Sequence, residues 1–211
     1  MVNRKIHFSL KVLATLAPLV AVGVGSGCSS SPSHVANATP AAIAYHGVSD
    51  YLPLEDNTVM SFETELEGSA DRGLLIMQVT RPRPTVVELN IGGKVRRLDL
   101  TNEGVKIVEG GWLLKKPLEV GATFTGQNGP VRVKSIHTAI DVPAGHFTEC
   151  VETEEISPAS RILTTYCPHA GIALLDVESM SVSNPERVIT RLKAYGPRVD
   201  VGHDQVRVVP Q

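Results

Sequence analysis

From about Tyr51 onward, the chain consists of short apolar or alternating runs separated by glycine, proline and asparagine. Alternation with a period of two is typical of strands with one buried face. No segment shows an apolar period of 3.6 residues sustained over three helical turns. We therefore predict strands over residues 57–65, 73–80, 85–91, 94–100, 105–108, 121–126, 131–141, 146–155, 161–167, 172–178 and 187–195.

The spacing of these runs, about 8–15 residues, predicts an all-β domain built as an antiparallel meander. Such a meander forms a curved sheet, a half-barrel or a sandwich. Gly92-Gly93 and Asn128-Gly129 each lie between two predicted strands. Glycine and asparagine tolerate the positive φ angles that type I′ turns require, so both sites indicate tight hairpins.

The first 27 residues have the three parts of a secretory signal. Arg4, Lys5 and Lys11 form a basic start, an apolar run follows from Val12 to Val24, and small residues occupy positions 25–27. The apolar run is shorter than the ~20 residues that cross a bilayer as a helix. We therefore predict a signal peptide rather than a transmembrane helix.

The small residues 25–27 followed by Cys28 resemble the lipobox of bacterial lipoproteins, although Gly25 stands where that family prefers leucine. The resemblance implies cleavage before Cys28, acylation of its thiol and new amino group with chains such as palmitate, and attachment to a membrane. Ser29, rather than aspartate, implies sorting to the outer membrane of a Gram-negative cell. Two or three acyl chains form a stable anchor without any spanning helix.

These features divide the chain into four parts. We assign residues 1–27 to the signal peptide, 28–50 to the acylated cysteine and a flexible tether, 51–196 to the β domain and 197–211 to a C-terminal tail. The tether is rich in serine, alanine and proline, a composition that cannot bury enough apolar surface to fold and is expected to be disordered.

The charge balance excludes one class of partner. The chain has 20 Lys and Arg against 22 Asp and Glu, and only 4% aromatic residues, which argues against nucleic-acid binding. Removal of residues 1–27 takes away three basic residues, leaving 17 against 22 and a net charge of −5. A net-acidic mature chain is expected to gain nothing from anionic head groups, so its acyl chains alone would hold it at the membrane.

Cys150 and Cys167 flank a predicted hairpin. A turn centred between Pro158 and Ala159 places the two cysteines directly opposite each other, close enough for a disulfide. An exported chain meets an oxidising compartment, which favours that bond. Zinc bound by both cysteines with His146 and His169 is the alternative, but residues 146 and 150 are about 13 Å apart along a strand. We therefore predict a disulfide and no metal site.

Three segments carry a second resemblance. LKKPLEVGATF (114–124), DVPAGHFTECVE (141–152) and YCPHAGIALL (166–175) resemble a group of uncharacterised bacterial secreted and lipoprotein β domains. Members of that group typically have the patterns P-L-x-x-G-x-x-W, V-P-A-G-x-F-x-x-C and Y-x-P-x-x-G-x-V, in that order. Phe124 replaces the usual tryptophan, and Ala173 departs from the usual Gly-Leu-Val. The resemblance implies a fold and an exported location and no particular chemistry.

Candidate catalytic residues do not converge. Ser135, His137 and Asp141 share one face of a predicted strand, but successive side chains on that face are about 6.8 Å apart. A nucleophile and its base must approach to about 3 Å. We therefore predict no catalytic residues, no cofactor and no enzymatic activity.

Together these patterns predict an envelope lipoprotein, held in the outer membrane and facing the periplasm. Its non-catalytic β domain would serve a structural or protein-interaction role with an envelope protein. The alternative is a carrier for an apolar ligand such as a lipid, and an envelope hydrolase ranks third. A deep apolar concavity would favour the carrier, whereas a flat apolar patch would favour docking.

Overall fold

The computed structural model describes residues 47–70, 72–181 and 186–199, which belong to one compact unit, Ile43–Gln211. This part of the chain contains one short helix and twelve strands. The elements are α1 (Val48–Tyr51), β1 (Thr58–Leu66), β2 (Arg72–Arg83), β3 (Val86–Ile91), β4 (Lys94–Leu100), β5 (Gly104–Ile107), β6 (Trp112–Lys115), β7 (Thr123–Thr125), β8 (Pro130–Val142), β9 (Gly145–Ile156), β10 (Ser160–Cys167), β11 (Gly171–Ser179) and β12 (Arg187–Pro197). The predicted tether before Gly47 and the tail after Val199 lie outside the described residues.

All twelve strands join one antiparallel sheet, which curls into a nearly closed barrel. The order is β6-β5-β4-β3-β2-β1-β12-β11-β10-β9-β8-β7. Strands that follow each other in the chain lie side by side, except β6 and β7, which form the two ends of the order. In addition, β1 pairs with β12, from Thr58 opposite Pro197 to Leu66 opposite Val188. The all-β antiparallel prediction is confirmed, and the two meanders, β1–β6 and β7–β12, meet through this central ladder.

Strand β6 is the one strand of the described residues that sequence reasoning missed, and the short helix α1 was not predicted either. Strand β6 occupies four residues, Trp112–Lys115, between Gly111 and Pro117. A run this short is too brief to show an alternating pattern, so its assignment depends on its pairing with β5.

The turn between β3 and β4 has the predicted chemistry. Gly92 and Gly93 have φ angles of 56° and 83°. The Asn90 side-chain oxygen accepts a hydrogen bond of 3.0 Å from the Gly93 amide. Two consecutive positive φ angles are the requirement of a type I′ turn, which explains the glycine pair.

The turn between β7 and β8 forms a hairpin by a different means. The Gly126 amide donates to the Gly129 carbonyl over 2.8 Å. The Glu155 carboxylate accepts hydrogen bonds from the amides of Asn128 and Gly129. A Cβ atom on Gly129 would lie 2.3 Å from the Ile156 carbonyl oxygen, so close backbone approach, rather than positive φ, requires glycine there.

The interior of the barrel is filled by side chains from both meanders. Seven of the apolar side chains that the barrel buries to 1% exposure or less are Val79, Val87, Leu98, Leu114, Val133, Val151 and Leu192. A sheet of this many strands encloses more space than its own side chains fill easily. The buried hydroxyl of Tyr166 crosses toward β6 and donates to the Leu113 carbonyl over 3.0 Å.

Residues 47–55 close one end of the barrel and are called the plug. Val48, Tyr51, Leu52 and Leu54 are each 4–5% exposed. The Tyr51 hydroxyl donates to the Glu149 carbonyl over 3.0 Å. This plugged end is the end at which β1 begins and β12 ends. Val48 lies in the core although it precedes Tyr51, the predicted first residue of the domain.

The seam of the barrel is the boundary between β6 and β7, the two ends of the strand order. The two ends of the sheet approach closely where the turn after β5 meets the turn after β7. A Cβ atom on Gly111 would lie 1.8 Å from the Gly126 carbonyl oxygen, so only a glycine permits this approach. The Arg96 guanidinium on β4 donates to the side-chain oxygen of Gln127 in the turn after β7, which adds a second contact near this point.

Substitution Gly111→Ala is expected to force the seam apart and to lower the free energy of unfolding by about 2 kcal/mol, the usual cost of overpacking. Urea unfolding followed by circular dichroism measures the change. The adjacent Gly110→Ala variant is the control, because its Cβ atom would meet only side-chain atoms, of Ile107 at 3.3 Å and of Gln127 at 3.7 Å. Equal stability of the two variants would contradict a tight seam.

Candidate functional site

Cys28, the predicted lipidation site, lies outside the described residues. No helix in the described part of the chain has the length and apolar character needed to span a bilayer. Lipidation of Cys28 therefore stays a prediction.

Cys150 and Cys167 form the predicted disulfide, with an S–S distance of 2.03 Å and a Cα–Cα distance of 4.2 Å. Both residues are fully buried. The register of β9 and β10, which pairs Val151 with Tyr166 and Ile156 with Arg161, centres the turn between residues 158 and 159. The hairpin prediction is confirmed, and the bond leaves neither thiol free to ligate zinc with His146 or His169.

Replacement of both cysteines, Cys150→Ala with Cys167→Ala, is expected to lower the free energy of unfolding by about 3 kcal/mol, because the bond closes a short loop in the unfolded chain. Thermal unfolding with and without reductant measures this loss of stability. The reductant should leave the double variant unchanged, and a double variant as stable as the oxidised parent would contradict a structural role.

His137 and Asp141, which sequence reasoning placed on one strand face, do not contact each other. The Nδ1 atom of His137 lies 2.5 Å from the Glu149 carboxylate, across the β8–β9 hairpin. The Ser135 hydroxyl oxygen accepts a long hydrogen bond, 3.4 Å, from the His137 backbone amide instead of facing its ring. The arrangement is a surface pair of imidazole and carboxylate, and it places no serine nucleophile beside its base.

A second pair lies nearer the tip of the same hairpin. The Nδ1 atom of His146 is 2.8 Å from the Asp141 carboxylate, and these side chains are 59% and 87% exposed. At such exposure, water screens the charges, so the pair adds little to stability. Among the described residues, no group of three or more His, Cys, Asp or Glu side chains is arranged to hold a metal ion.

The outer wall of strands β8 to β11 carries a network of ion pairs. Glu154, whose side chain is 12% exposed, contacts the Arg161 Nε atom at 2.7 Å and the Lys134 Nζ atom at 3.4 Å. Arg161 also reaches Glu178, at 3.5 Å. The hydrogen bond from Arg161 lowers the pKa of Glu154, and burial opposes that effect. Glu154 therefore serves as a partner for basic side chains on both neighbouring strands.

A second network joins β11, β12 and the turn that follows β1. The Arg187 guanidinium donates two hydrogen bonds, of 2.9 and 2.7 Å, to the Asp176 carboxylate and lies 3.5 Å from Glu67. The two hydrogen bonds satisfy Asp176, which is 8% exposed. These contacts reinforce the junction at which β12 meets its neighbours.

Because its pKa is lowered in the folded state, Glu154 stabilises the protein above its unfolded pKa of about 4.3, and that stability is lost as the pH falls through the folded value. Arg161→Gln is expected to reduce stability at pH 7 by about 1 kcal/mol and to flatten the decline below pH 4.3. Urea unfolding at a series of pH values measures both effects. Arg72→Gln, at a pair whose arginine is 62% exposed, is the control with little expected effect. A parallel decline in parent and Arg161→Gln would contradict this role for the pair.

A cleft of about 610 Å³ lies at the plugged end, beside the plug. It is lined by Val48, Ser49, Asp50, Leu52, Pro53, Leu54, Glu55, Arg81, Leu100, Thr101, Asn102, Gly104, Val105, Lys116 and His169. Several polar groups here support local structure: the Asp50 carbonyl accepts from the His169 amide over 2.7 Å, and Arg81 donates to the Pro84 carbonyl. The cleft is open and is lined by both acidic and basic side chains. We interpret it as the space left where the plug meets the turns of the barrel.

Sequence reasoning missed three long-range contacts that position the plugged end, strand β6 and the turn after β7. Tyr51, Tyr166 and Glu155 each use a polar atom to bind a backbone group of another element. Burial raises the pKa of both tyrosines, so each hydroxyl stays protonated and able to donate. The sequence offers no local signal for such partners, because donor and acceptor are far apart in the chain.

Comparison with known proteins finds no matching family model and no matching curated protein. A solved structure from Bacteroides fragilis, provisionally described as an exported protein with a YmcC-like fold, is 11% identical; the match covers 67% of this chain and 96% of that one, with a TM-score of 0.43. A provisionally described lipoprotein from Parabacteroides distasonis is 13% identical over 69% of this chain and 98% of that one, with a TM-score of 0.39. Similarities this distant assign neither a family nor a function.

Proposed function

We propose that this protein is an envelope lipoprotein whose barrel is a non-catalytic structural or protein-interaction module. Acyl chains on Cys28 would anchor it to the outer membrane, with the barrel on the periplasmic side. The observation that carries the non-catalytic role is the filled and plugged interior of the barrel. A module that acts through its outer surface needs a rigid, self-supporting body of this kind.

The filled interior counts against a carrier. Carriers in the barrel class hold their ligand in the mouth or lumen. Here Met60 and Leu192, with exposures of 1% and 0%, occupy the lumen, and the plug occupies the mouth. Transfer of the four apolar plug side chains to water would cost about 6 kcal/mol or more, so an apolar ligand would have to compensate for that loss.

The polar groups of the barrel favour a structural role over a catalytic one. The His137 and His146 side chains are 53% and 59% exposed, each beside a carboxylate on the hairpin surface. Catalytic acids and bases usually lie in a cleft where burial and a charged neighbour tune the pKa. Glu154 and Arg161 do show such a shift, but they lie on the outer wall as cross-strand partners.

The buried disulfide supports export. Disulfides persist in the periplasm and outside the cell and are rare in the reducing cytosol. The signal sequence before Cys28 points to the same compartment, and the two observations are independent. The described chain begins at the plugged end, so the acylated segment would leave the barrel there.

Native mass spectrometry of the full protein, extracted from membranes in detergent, tests this proposal. We expect a chain that begins at Cys28, carries two or three acyl chains and has Cys150 and Cys167 oxidised, with no additional lipid retained. The Cys28→Ser variant should lose acylation and appear in the soluble fraction or remain unprocessed.

Each other outcome decides against part of the proposal. A bare Cys28 thiol on the mature chain would contradict anchoring. A stoichiometric, non-covalent lipid would favour the carrier. Enzymatic activity toward an envelope substrate would overturn the non-catalytic role if it persisted in the purified protein and was lost in the His137→Ala or His146→Ala variant.

A further inference from the structure

The fold separates the charges of the chain into two halves of the barrel. Residues 72–116, which form β2 to β6, contain nine Lys and Arg against four Asp and Glu, a net charge of +5. The other described residues contain seven Lys and Arg against fifteen Asp and Glu, a net charge of −8. Because β2 to β6 are neighbours in the sheet, the positive charge occupies one continuous side of the barrel. This side is called the basic wall.

The basic wall also exposes apolar side chains. Leu74 and Ile76 on β2 are 63% and 44% exposed, and Val95 on β4 and Val108 beside β5 are 61% and 42% exposed. Val86 to Ile91 of β3 pair with β4, so the exposed residues of β2 and β4 are only two strands apart. Trp112 lies on β6, with the Lys115 ammonium 4.8 Å from its ring centre.

The tether leaves the barrel beside this wall. Val48 and Ser49, at the start of the described chain, line the same cleft as Arg81, Thr101 and Lys116, which belong to the ends of the basic strands and the loops after them. Residues 28–46 would connect that point to the membrane. If these residues form the tether that their composition predicts, its root-mean-square span would be about 25 Å, which would hold the wall within reach of the bilayer surface.

We propose that the basic wall lies against the anionic head groups of the bilayer that holds the acyl chains. This inference rests on the proposed anchoring at Cys28 and adds an orientation to it. The net charge of −5 suggested that head groups would have no role, but that expectation treated the charge as uniform. In the folded barrel, an anionic surface attracts the basic wall and repels the acidic side, so it orients the domain.

Cations interleaved with single exposed apolar side chains are typical of surfaces that bind the membrane interface. An acidic protein is the other partner with matching charge. The exit of the tether beside the wall favours the bilayer, because the anchor already places that surface next to anionic lipid. If the wall bound an acidic protein instead, it would not contact lipid, and brominated lipid would not quench Trp112.

Trp112 is the single tryptophan of the chain and lies on the wall, so its fluorescence reports lipid contact directly. The acylated full-length mature protein is reconstituted in vesicles that contain brominated phosphatidylcholine, with or without anionic phosphatidylglycerol. We expect strong quenching of Trp112 with the anionic lipid and weak quenching without it. High salt should abolish the difference in quenching, because it screens the charges.

Charge reversal on the wall should remove the contact. Lys94→Glu with Lys116→Glu is expected to weaken the wall–lipid association about tenfold or more and to bring quenching to the level of neutral vesicles. Arg132→Glu with Lys193→Glu makes the same change in charge on the acidic side and should keep the quenching. Circular dichroism of both double variants confirms that each is folded.

Flotation of the same vesicles at high salt separates this inference from the proposed anchor. Protein that floats with neutral vesicles is held by its acyl chains. If it floats and Trp112 is not quenched by anionic vesicles, the anchor stands and the wall inference is wrong. If both double variants lose quenching equally, the wall inference is also wrong. Protein that does not float contradicts the anchor itself.

Discussion

The ladder between β1 and β12 joins strands from opposite ends of the domain, and the rest of the structure depends on it. Nine residue pairs, from Thr58 with Pro197 to Leu66 with Val188, connect the two meanders. Without this ladder, each meander would expose an unpaired edge of hydrogen-bonding groups in addition to its edge at the seam. With it, the sheet curls until β6 meets β7, the interior closes, and the plug covers one end of the barrel.

Local sequence signals predicted much of this fold, and long-range contacts account for what they missed. Gly92-Gly93 marked its hairpin because the turn itself demands positive φ angles. The disulfide followed from the register of one hairpin, since Cys150 and Cys167 lie equally far from its centre. The β1–β12 ladder has no such local signal. The plug has no local signal either. Val48 lies in a segment whose composition predicts a polar tether, and only packing against the barrel buries its side chain.

The candidate sites show the same division between local and long-range information. Sequence spacing showed that Ser135, His137 and Asp141 do not converge, but only the hairpin register revealed that Glu149 is the partner of His137. The total charge of the chain predicted an acidic protein, whereas the strand order gathers the positive charge on one side. Charge polarity is a property of topology, because it depends on which strands become neighbours.

Native-state amide hydrogen exchange tests most directly whether the β1–β12 ladder holds the barrel together. The account predicts that amides in this ladder, such as those of Phe62 and Leu192, exchange among the slowest, in one cooperative unit with β9 and β10. The short strands β6 and β7 at the seam should exchange first. Rapid exchange at β1 and β12, while β3 and β10 remain protected separately, would show two independent halves and contradict the account.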